Sequence, residues 1–204
     1  MPSPKTKFGP EKRRTNIIDK AMKLFLTKGF ESTSISDICL AAKLTKPSLY
    51  HYFESKNHLL FSVHMYSISI FLRPYMEYVM SIKEPDMRLR TMIREYTKLI
   101  CSHPELRFIL HGSLRVKDKY SAIVKEEWRK HLVLLKETIA ELQSNARINK
   151  NLHPSRTALL LLGMITWITF WFDYKKKDNI EEIADLTLEI AFHGLGFEPQ
   201  RPST

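Results

Sequence analysis

Glycine and cysteine are scarce in this chain of 204 residues, which contains six glycines and two cysteines. The glycine content of about 3% compares with a usual ~7%. This disfavours β-rich and dinucleotide-binding folds, because they use glycine at tight turns and phosphate-binding loops. Cys39 and Cys101 lie 62 positions apart. Neither a disulfide framework nor a cysteine-based metal site is therefore expected.

Long apolar segments are also missing. The first residues, MPSPKTKFGPEKRR, have no apolar core of the kind a signal peptide needs, and residues 1–10 are expected to form a flexible basic arm. The longest uncharged stretch, residues 157–172, is 16 residues long. A helix that crosses a bilayer needs ~20 apolar residues. These features predict a soluble protein of the reducing cytoplasm.

Signatures of catalysis are lacking as well. The eight histidines are scattered, with no H-E-x-x-H motif and no cysteine–histidine cluster. No phosphate loop, nucleophile elbow or kinase signature is present. We therefore expect no enzyme, no cofactor and no metal site, and an active site without a known motif is the alternative.

Positive charge is in excess, with 32 Lys+Arg against 22 Asp+Glu and a net charge of +10. Such a balance suits nucleic acid, an anionic membrane or a phosphorylated small molecule, although a solvated basic surface would give the same number. Residues 1–60 contain 11 Lys+Arg and 5 Asp+Glu, so more than half of the excess lies in the first third. That location favours a DNA-binding module at the N-terminus.

Apolar residues recur with helical spacing along the whole chain. Ile17, Ala21, Leu24 and Phe25, for example, share one face of a first helix. No segment alternates with period 2 for long enough to predict a strand. We predict an all-α fold of about nine helices, with interruptions at prolines 74 and 85.

Residues 34–53 have the pattern of a helix-turn-helix motif. The turn lies at residues 43–44, and Thr45 is expected to cap the second helix of the motif. Leu49 and Phe53 form the buried side of that helix. Its other positions face a partner: Lys46, Ser48, Tyr50, His51 and Tyr52. A cation, a hydroxyl group and aromatic donors on a short helix suit the base edges and phosphates of the major groove.

Two stretches of this region carry a family pattern. The first contains Gly29-Phe30 and residues 33–38, TSISDI. The second is residues 46–56, in which Leu49-Tyr50-x-x-Phe53 precedes Lys56. With these motifs, residues 11–60 resemble the TetR/AcrR family of bacterial transcriptional regulators. The remainder matches only in helix count and order, and Lys43 stands where the family has glycine. The resemblance implies that residues 1–60 form a three-helix DNA-binding domain and that residues 61–204 form a helical domain for effector binding and dimerisation.

The resemblance implies which residues contact DNA. Lys46 and Pro47 would face base edges, and Lys56 would hold a phosphate. Packing between helices is the alternative role for Tyr50 and Tyr52. The full set of implied contacts is Ser34, Ser36, Lys46, Pro47, Ser48, Tyr50, His51, Tyr52 and Lys56.

A C-terminal segment, residues 158–172, is apolar on all sides, and such a helix must be buried all round. We expect it to form core and subunit interface, because the resemblance implies a homodimer joined through the last two helices. The predicted contact face on the last helix is Ile180, Ile183, Ala184, Thr187 and Ala191. Alternatively, three tryptophans line a ligand cavity: Trp128, Trp167 and Trp171.

The resemblance also implies a small-molecule effector, and the predicted domain combines an apolar interior with cations. The cations considered are Arg73, Arg107, Arg115 and Lys175–Lys177. An amphiphilic anion such as an acyl-CoA fits this combination, so the sequence predicts a repressor released from an inverted-repeat operator by such a ligand. A non-specific nucleoid-type DNA-binding protein and a regulator of flat cationic drugs are the alternatives.

Overall fold

A computed structural model describes residues 9–112, 120–176 and 179–196, and within these ranges all regular elements are helical. The helices are α1 (Pro10–Lys28), α2 (Ile35–Ala42), α3 (Lys46–Tyr50), α4 (Lys56–Ser67), α5 (Arg73–Ser81), α6 (Pro85–Ser102), α7 (Pro104–Gly112), α8 (Ser121–Ser144), α9 (Pro154–Trp171) and α10 (Ile180–Leu195). A π-helical turn, Ile68–Leu72, joins α4 to α5 without a break. The described ranges therefore contain nine separate helices, and the predicted all-α class is confirmed. Most of the predicted basic arm, residues 1–8, lies outside the described residues.

Pro74 does not end a helix, contrary to the prediction. A proline inside an α-helix has no N–H to donate, and its ring clashes with the carbonyl four residues earlier. Here the π turn comes first, with the N–H of Arg73 bonded to the carbonyl of Ile68, and Pro74 lies in the first turn of α5. The wider turn accommodates the proline ring. Pro85, by contrast, begins α6 as expected.

The N-terminal helices pack around one small core. Ile17, Phe25, Ile38, Leu49 and Phe53 are at most 1% exposed, so the buried side predicted for the helix-turn-helix motif is confirmed. Helices this short depend on their caps and on packing, because nucleating a helix is unfavourable. The packing fixes α3 with its opposite side toward solvent.

The caps of α2 and α3 are formed by side chains, and the predicted Thr45 cap of α3 is confirmed. Ser34 and Asp37 make a reciprocal capping box, in which Ser34 Oγ accepts from the Asp37 N–H at 3.1 Å and the Ser34 N–H donates to Asp37 Oδ2 at 2.8 Å. Thr45 Oγ1 accepts from the Ser48 N–H at 3.4 Å at the start of α3. Each side chain satisfies an N–H group that the helix itself leaves free.

Helix α4 crosses the predicted domain boundary at residue 60. Leu59, Leu60 and Val63 belong to the core of the N-terminal helices, together with Ile109 of α7 and Val124 of α8. The two halves therefore share α4. The division of function at residue 60 stays a prediction.

The C-terminal half is built around α6, which contacts α5, α8, α9 and α10. The small side chains of Ala184, Thr187 and Ala191 are buried against this core within one chain, and Ile180 and Ile183 pack on it in part. Small residues allow α10 to approach α6 closely. The prediction that Ala184, Thr187 and Ala191 contact a second copy is therefore wrong, because their own chain already covers them. For Ile180 and Ile183, which are partly exposed, that contact stays a prediction.

Two features that would indicate other functions are absent from the described residues. No helix in these ranges is long and apolar enough to cross a membrane. The same ranges contain no group of three or more His, Cys, Asp or Glu side chains that could hold a metal ion.

Candidate DNA-binding surface and ligand cavity

The outer side of α3 presents a compact polar surface. Lys46, Pro47, Tyr50 and His51 are exposed, and Ser48 is half-buried. Tyr50 is 50% exposed, so its ring is not held between helices. Because Leu49 and Phe53 fix the opposite side, these groups are presented together at one short helix. The arrangement supplies a cation, hydroxyl groups and rings to a partner.

Tyr52 occupies an intermediate position at the end of this surface. Its ring is half-buried, meets His51 edge-on at 5.3 Å between centroids, and lies 6.4 Å from the ring of Phe53. The ring of Tyr52 therefore packs on its neighbours while part of the residue stays accessible, which is compatible with a contact with DNA.

Helix α2 and the turn after it add three exposed groups. Ser36 and Lys43 are exposed, and Ser34 is exposed although its hydroxyl group is engaged with Asp37. Hydrogen bonds from Ser34 hold the pKa of the Asp37 carboxyl below its usual range, and Lys28 lies 3.4 Å from that carboxylate. Lys43 adopts the left-handed conformation, with φ 53° and ψ 53°. The turn thus keeps a glycine-like backbone while carrying a cation.

Lys56 lies at the first position of α4 and is partly buried. Its ammonium group is 4.3 Å from the ring centroid of Phe30 and donates to the carbonyl of Glu31 at 3.4 Å. Ser55 caps the same helix by accepting from the His58 N–H at 3.0 Å. The ammonium group is therefore positioned beside a helix N-terminus, where anions bind favourably. The phosphate contact itself stays a prediction.

Tyr120 connects the start of α8 to the N-terminal helices, a contact that sequence reasoning missed. Its ring stacks on Phe61 at 4.5 Å and on His58 at 5.5 Å, and its hydroxyl group donates to Glu54 Oε2 at 3.3 Å. Nothing in the local sequence around Tyr120 could have indicated this contact, because it joins residues 66 positions apart.

A cavity of about 370 Å³ lies between α6, α7, α8 and α9. Its lining is mainly apolar, with two cations on α8: Tyr96, Leu110, Lys125, Trp128, Arg129, His131, Leu132, Leu159, Leu162 and Thr166. An apolar cavity with a few polar groups is the usual form of a small-molecule site. Of the three tryptophans named from the sequence, Trp128 is the one that lines it.

The structure separates Trp167 and Trp171 from Trp128. Both lie on the outer side of α9, 61% and 56% exposed, because α9 turns its other side to the core. They are among the large apolar side chains that the last two helices leave exposed, here called the outer face: Leu160, Trp167, Phe170, Trp171, Leu186 and Ile190. Trp167 and Phe170 stack at 4.6 Å within it. Within the single chain the three tryptophans therefore do not share one cavity, contrary to the alternative expectation.

The cations named from the sequence are dispersed. Arg73 lines a second groove of about 410 Å³ between α5 and α8, which it shares with Glu77, Glu127 and Glu137. Arg107, Lys175 and Lys176 are exposed away from the 370 Å³ cavity, and Arg115 and Lys177 lie outside the described residues. The cations at the cavity are instead Lys125 and Arg129, which sequence reasoning did not single out although they share its α8 face with Trp128.

Buried polar groups support the inner wall of the cavity. Tyr75 donates its hydroxyl hydrogen to the carbonyl of Met92 at 3.1 Å, and the same oxygen lies 3.1 Å from His131 Nε2. Burial lowers the pKa of His131 to about 4 and raises the pKa of Tyr96. Both side chains are therefore uncharged at neutral pH. The simple interpretation of this histidine, a satisfied core residue, agrees with its position.

Two family models match the chain. The model of bacterial regulatory proteins of the tetR family matches residues 17–63, which include α2, α3 and the start of α4. The model of a tetracyclin repressor-like C-terminal domain matches residues 83–195, more than half of the chain. Together the matches cover the helix-turn-helix motif and the domain that contains the cavity.

Solved structures and curated relatives agree with these matches. The structure of AibR in complex with isovaleryl coenzyme A and operator DNA has 28% sequence identity and a TM-score of 0.82, covering 92% of this chain and 100% of AibR. The transcriptional repressor NicS of Pseudomonas putida is 29% identical over 100 residues, 49% of this chain and 47% of NicS. The chain thus spans about half the length of that relative.

A longer alignment joins the chain to the fatty acid metabolism regulator protein of Bacillus subtilis, with 20% identity over 185 residues, 88% of this chain and 93% of the relative. The likeness therefore extends from the DNA-binding motif through the C-terminal helices. The chain belongs to the TetR family of bacterial regulatory proteins, which are DNA-binding transcription factors and not enzymes.

Proposed function

We propose that this chain is a homodimeric repressor that binds an inverted-repeat operator in the cytoplasm and is released by an acyl-CoA or a similar amphiphilic anion. In this proposal the helices before residue 60 bind DNA, and the helices after it dimerise and hold the effector. The observation that carries it is the likeness to AibR along almost the whole chain, since AibR was solved with an acyl-CoA and operator DNA.

The polar side of α3 supports the DNA contact. Lys46 and Pro47 are exposed at its first turn and would face base edges, while Ser48, Tyr50, His51 and Tyr52 would contact phosphates or bases. Ser34, Ser36 and Lys56 flank this helix and would contact the DNA backbone. Two such motifs related by a two-fold axis require an operator with the same symmetry.

The outer face supports the homodimer. It places six large apolar side chains on α9 and α10 in solvent within a single chain. Large apolar side chains exposed together on the same helices favour contact with another protein surface. A second copy would cover it by an isologous contact, in which the same residues face one another. Members of the family typically bind DNA as dimers.

The cavity between α6 and α9 supports an amphiphilic anion. Its interior is apolar, and Lys125 and Arg129 lie at its α8 side. The groove between α5 and α8 is a less suitable site for a cationic drug, because Glu127 there already pairs with Lys130 at 2.8 Å and with Arg73 at 3.5 Å.

The test combines operator selection with effector release. The purified protein should select inverted-repeat sites from fragmented genomic DNA, and isovaleryl-CoA or another acyl-CoA should release it in a fluorescence anisotropy assay. Binding without any preferred site would favour the nucleoid-type alternative. Release by cationic drugs alone would overturn the acyl-CoA assignment and leave the regulator assignment standing.

A further inference from the structure

Helix α8 contacts both the N-terminal helices and the cavity. Tyr120, Val124 and Trp128 follow one another at intervals of four residues, so they share one side of α8, and this side packs on the core of the N-terminal helices. Lys125 and Leu132 lie on the adjoining side and line the cavity, as Trp128 also does. Because α8 is one continuous helix, a ligand that moves its cavity side also moves Tyr120.

Tyr120 contacts the chain where α3 is followed by α4. Its ring lies nearly parallel to those of Phe61 and His58, at 4.5 and 5.5 Å, and its hydroxyl group donates to Glu54 Oε2 at 3.3 Å. Two of these partners are joined to each other, because the Glu54 N–H donates to Nδ1 of His58 at 3.1 Å. Tyr120 is only half-buried and Glu54 is exposed, so a modest displacement of α8 is enough to break these contacts.

The same part of the chain positions the proposed DNA-binding groups. Lys56 begins α4, two residues before His58. The ring of His58 meets Phe53 edge-on at 5.9 Å, and Phe53 is one of the two residues that fix the buried side of α3. The partners of Tyr120 thus touch both the anchor of α3 and the start of α4. Holding them in place holds α3 and Lys56 in one relative arrangement.

We infer that Tyr120 is a positioning residue for DNA binding, and that its contacts with Glu54, His58 and Phe61 form in the DNA-binding conformation and are lost when a ligand in the cavity moves α8. The inference rests on the effector function proposed above and names the residue through which the cavity acts on α3. A contact that exists in one of two conformations favours that conformation. Removing it therefore weakens DNA binding and, by linkage, tightens effector binding.

The experiment measures two affinities for each variant of the full chain. Operator DNA selected from genomic fragments and isovaleryl-CoA are titrated separately against the wild-type chain and Tyr120→Ala. The variant should bind DNA more weakly and isovaleryl-CoA more tightly, and the two factors should multiply to about tenfold, the order expected for one hydrogen bond and its ring contacts. Tyr120→Phe keeps the ring and loses the bond to Glu54, so it should show part of both changes. Tyr78→Ala, which removes a ring on α5 that is 57% exposed, is the control and should change neither affinity.

The opposite signs of the two changes separate positioning from folding. A variant that is merely less well folded binds both DNA and isovaleryl-CoA more weakly. That result, or an unchanged affinity for isovaleryl-CoA, would overturn the inference while the effector function stands. Tighter DNA binding would overturn it as well, because the contacts would then belong to the released conformation. If the wild-type chain binds no acyl-CoA, the proposed effector function falls, and this inference falls with it.

Discussion

The N-terminal helices and the last two helices use their exposed sides in opposite ways. On α3 the side opposite to Leu49 and Phe53 is polar, whereas on α9 the side opposite to the core exposes Leu160, Trp167 and Trp171. A polar exposed side suits a hydrated, charged partner such as DNA. An apolar exposed side suits a second protein surface. The difference agrees with the proposal that the N-terminal helices contact DNA and the last two helices contact a second copy.

The largest expected effect is the difference in stability between a charge on the buried side and a charge on the exposed side of the C-terminal helices. Ala184 is fully buried against α6, so Ala184→Glu buries an unpaired charge and should cost more than about 4 kcal/mol of the free energy of unfolding. Leu160 is 74% exposed, so Leu160→Glu should leave the fold intact and place like charges across the proposed dimer contact. Circular dichroism melting and light scattering measure the two outcomes.

A stable, fully helical Ala184→Glu variant would contradict the packing of α10 on α6. A Leu160→Glu variant that remains a dimer would contradict the outer face as the contact surface. Lys150→Glu is the control, because it changes a charge at an exposed turn and should alter neither stability nor dimer formation. Leu152→Glu would not serve, because Leu152 is partly buried.

The same contrast explains what could be predicted from the sequence. Thr45, Leu49 and Phe53 were predictable because a short helix with a cap and two apolar positions has one possible buried side. Helix α9 is apolar on every side, so its periodicity does not distinguish core from interface, and Trp167 could not be placed. The cavity wall depends on α6, α7 and α9 meeting α8, and no local pattern encodes that meeting.

Two histidines provide the next contrast. His131 is buried in the C-terminal half, whereas His51 in the N-terminal helices is exposed. Burial lowers the pKa of His131 to about 4 from an ordinary 6.5. Between these values the unfolded chain binds a proton that the folded chain does not. The free energy of unfolding should therefore fall as pH falls through this window, by roughly 3 kcal/mol in total.

Urea unfolding between pH 7 and pH 4.5 measures this dependence. His131→Gln removes the titrating group and should flatten the decline. His64, whose pKa burial also lowers, will leave part of the slope in that variant. His51→Gln is the matched control and should change nothing. An identical slope in the wild-type chain and in His131→Gln would show that His131 is not held neutral.

Within the N-terminal helices, two lysines should affect DNA binding differently. Lys46 is exposed at the start of α3, so Lys46→Ala should cost about 1–3 kcal/mol at the preferred operator and relax its sequence preference. Lys56→Ala should weaken binding to all sequences alike and lower the salt slope by about one unit, the signature of a phosphate contact. Lys150→Ala, far along the chain, is the charge control. Equal loss of sequence preference in both variants would contradict these separate roles.

The smallest effect concerns the backbone of the turn between α2 and α3. Lys43 has φ 53° and ψ 53°, and its N–H bonds to the carbonyls of Cys39 and Leu40. This conformation is unfavourable for a residue with a Cβ atom and open to glycine, although glycine loses more chain entropy on folding. Lys43→Gly should therefore raise the free energy of unfolding by about 0.5–1 kcal/mol.

Lys43→Ala is the control: it keeps the Cβ atom and removes the charge, so it should not gain stability. Both variants lose the same cation beside the DNA, so their salt slopes should be equal while their urea midpoints differ. Equal midpoints would show that the geometry of this turn does not limit stability. Side-chain packing would then determine the stability of this region, as it does in the C-terminal half.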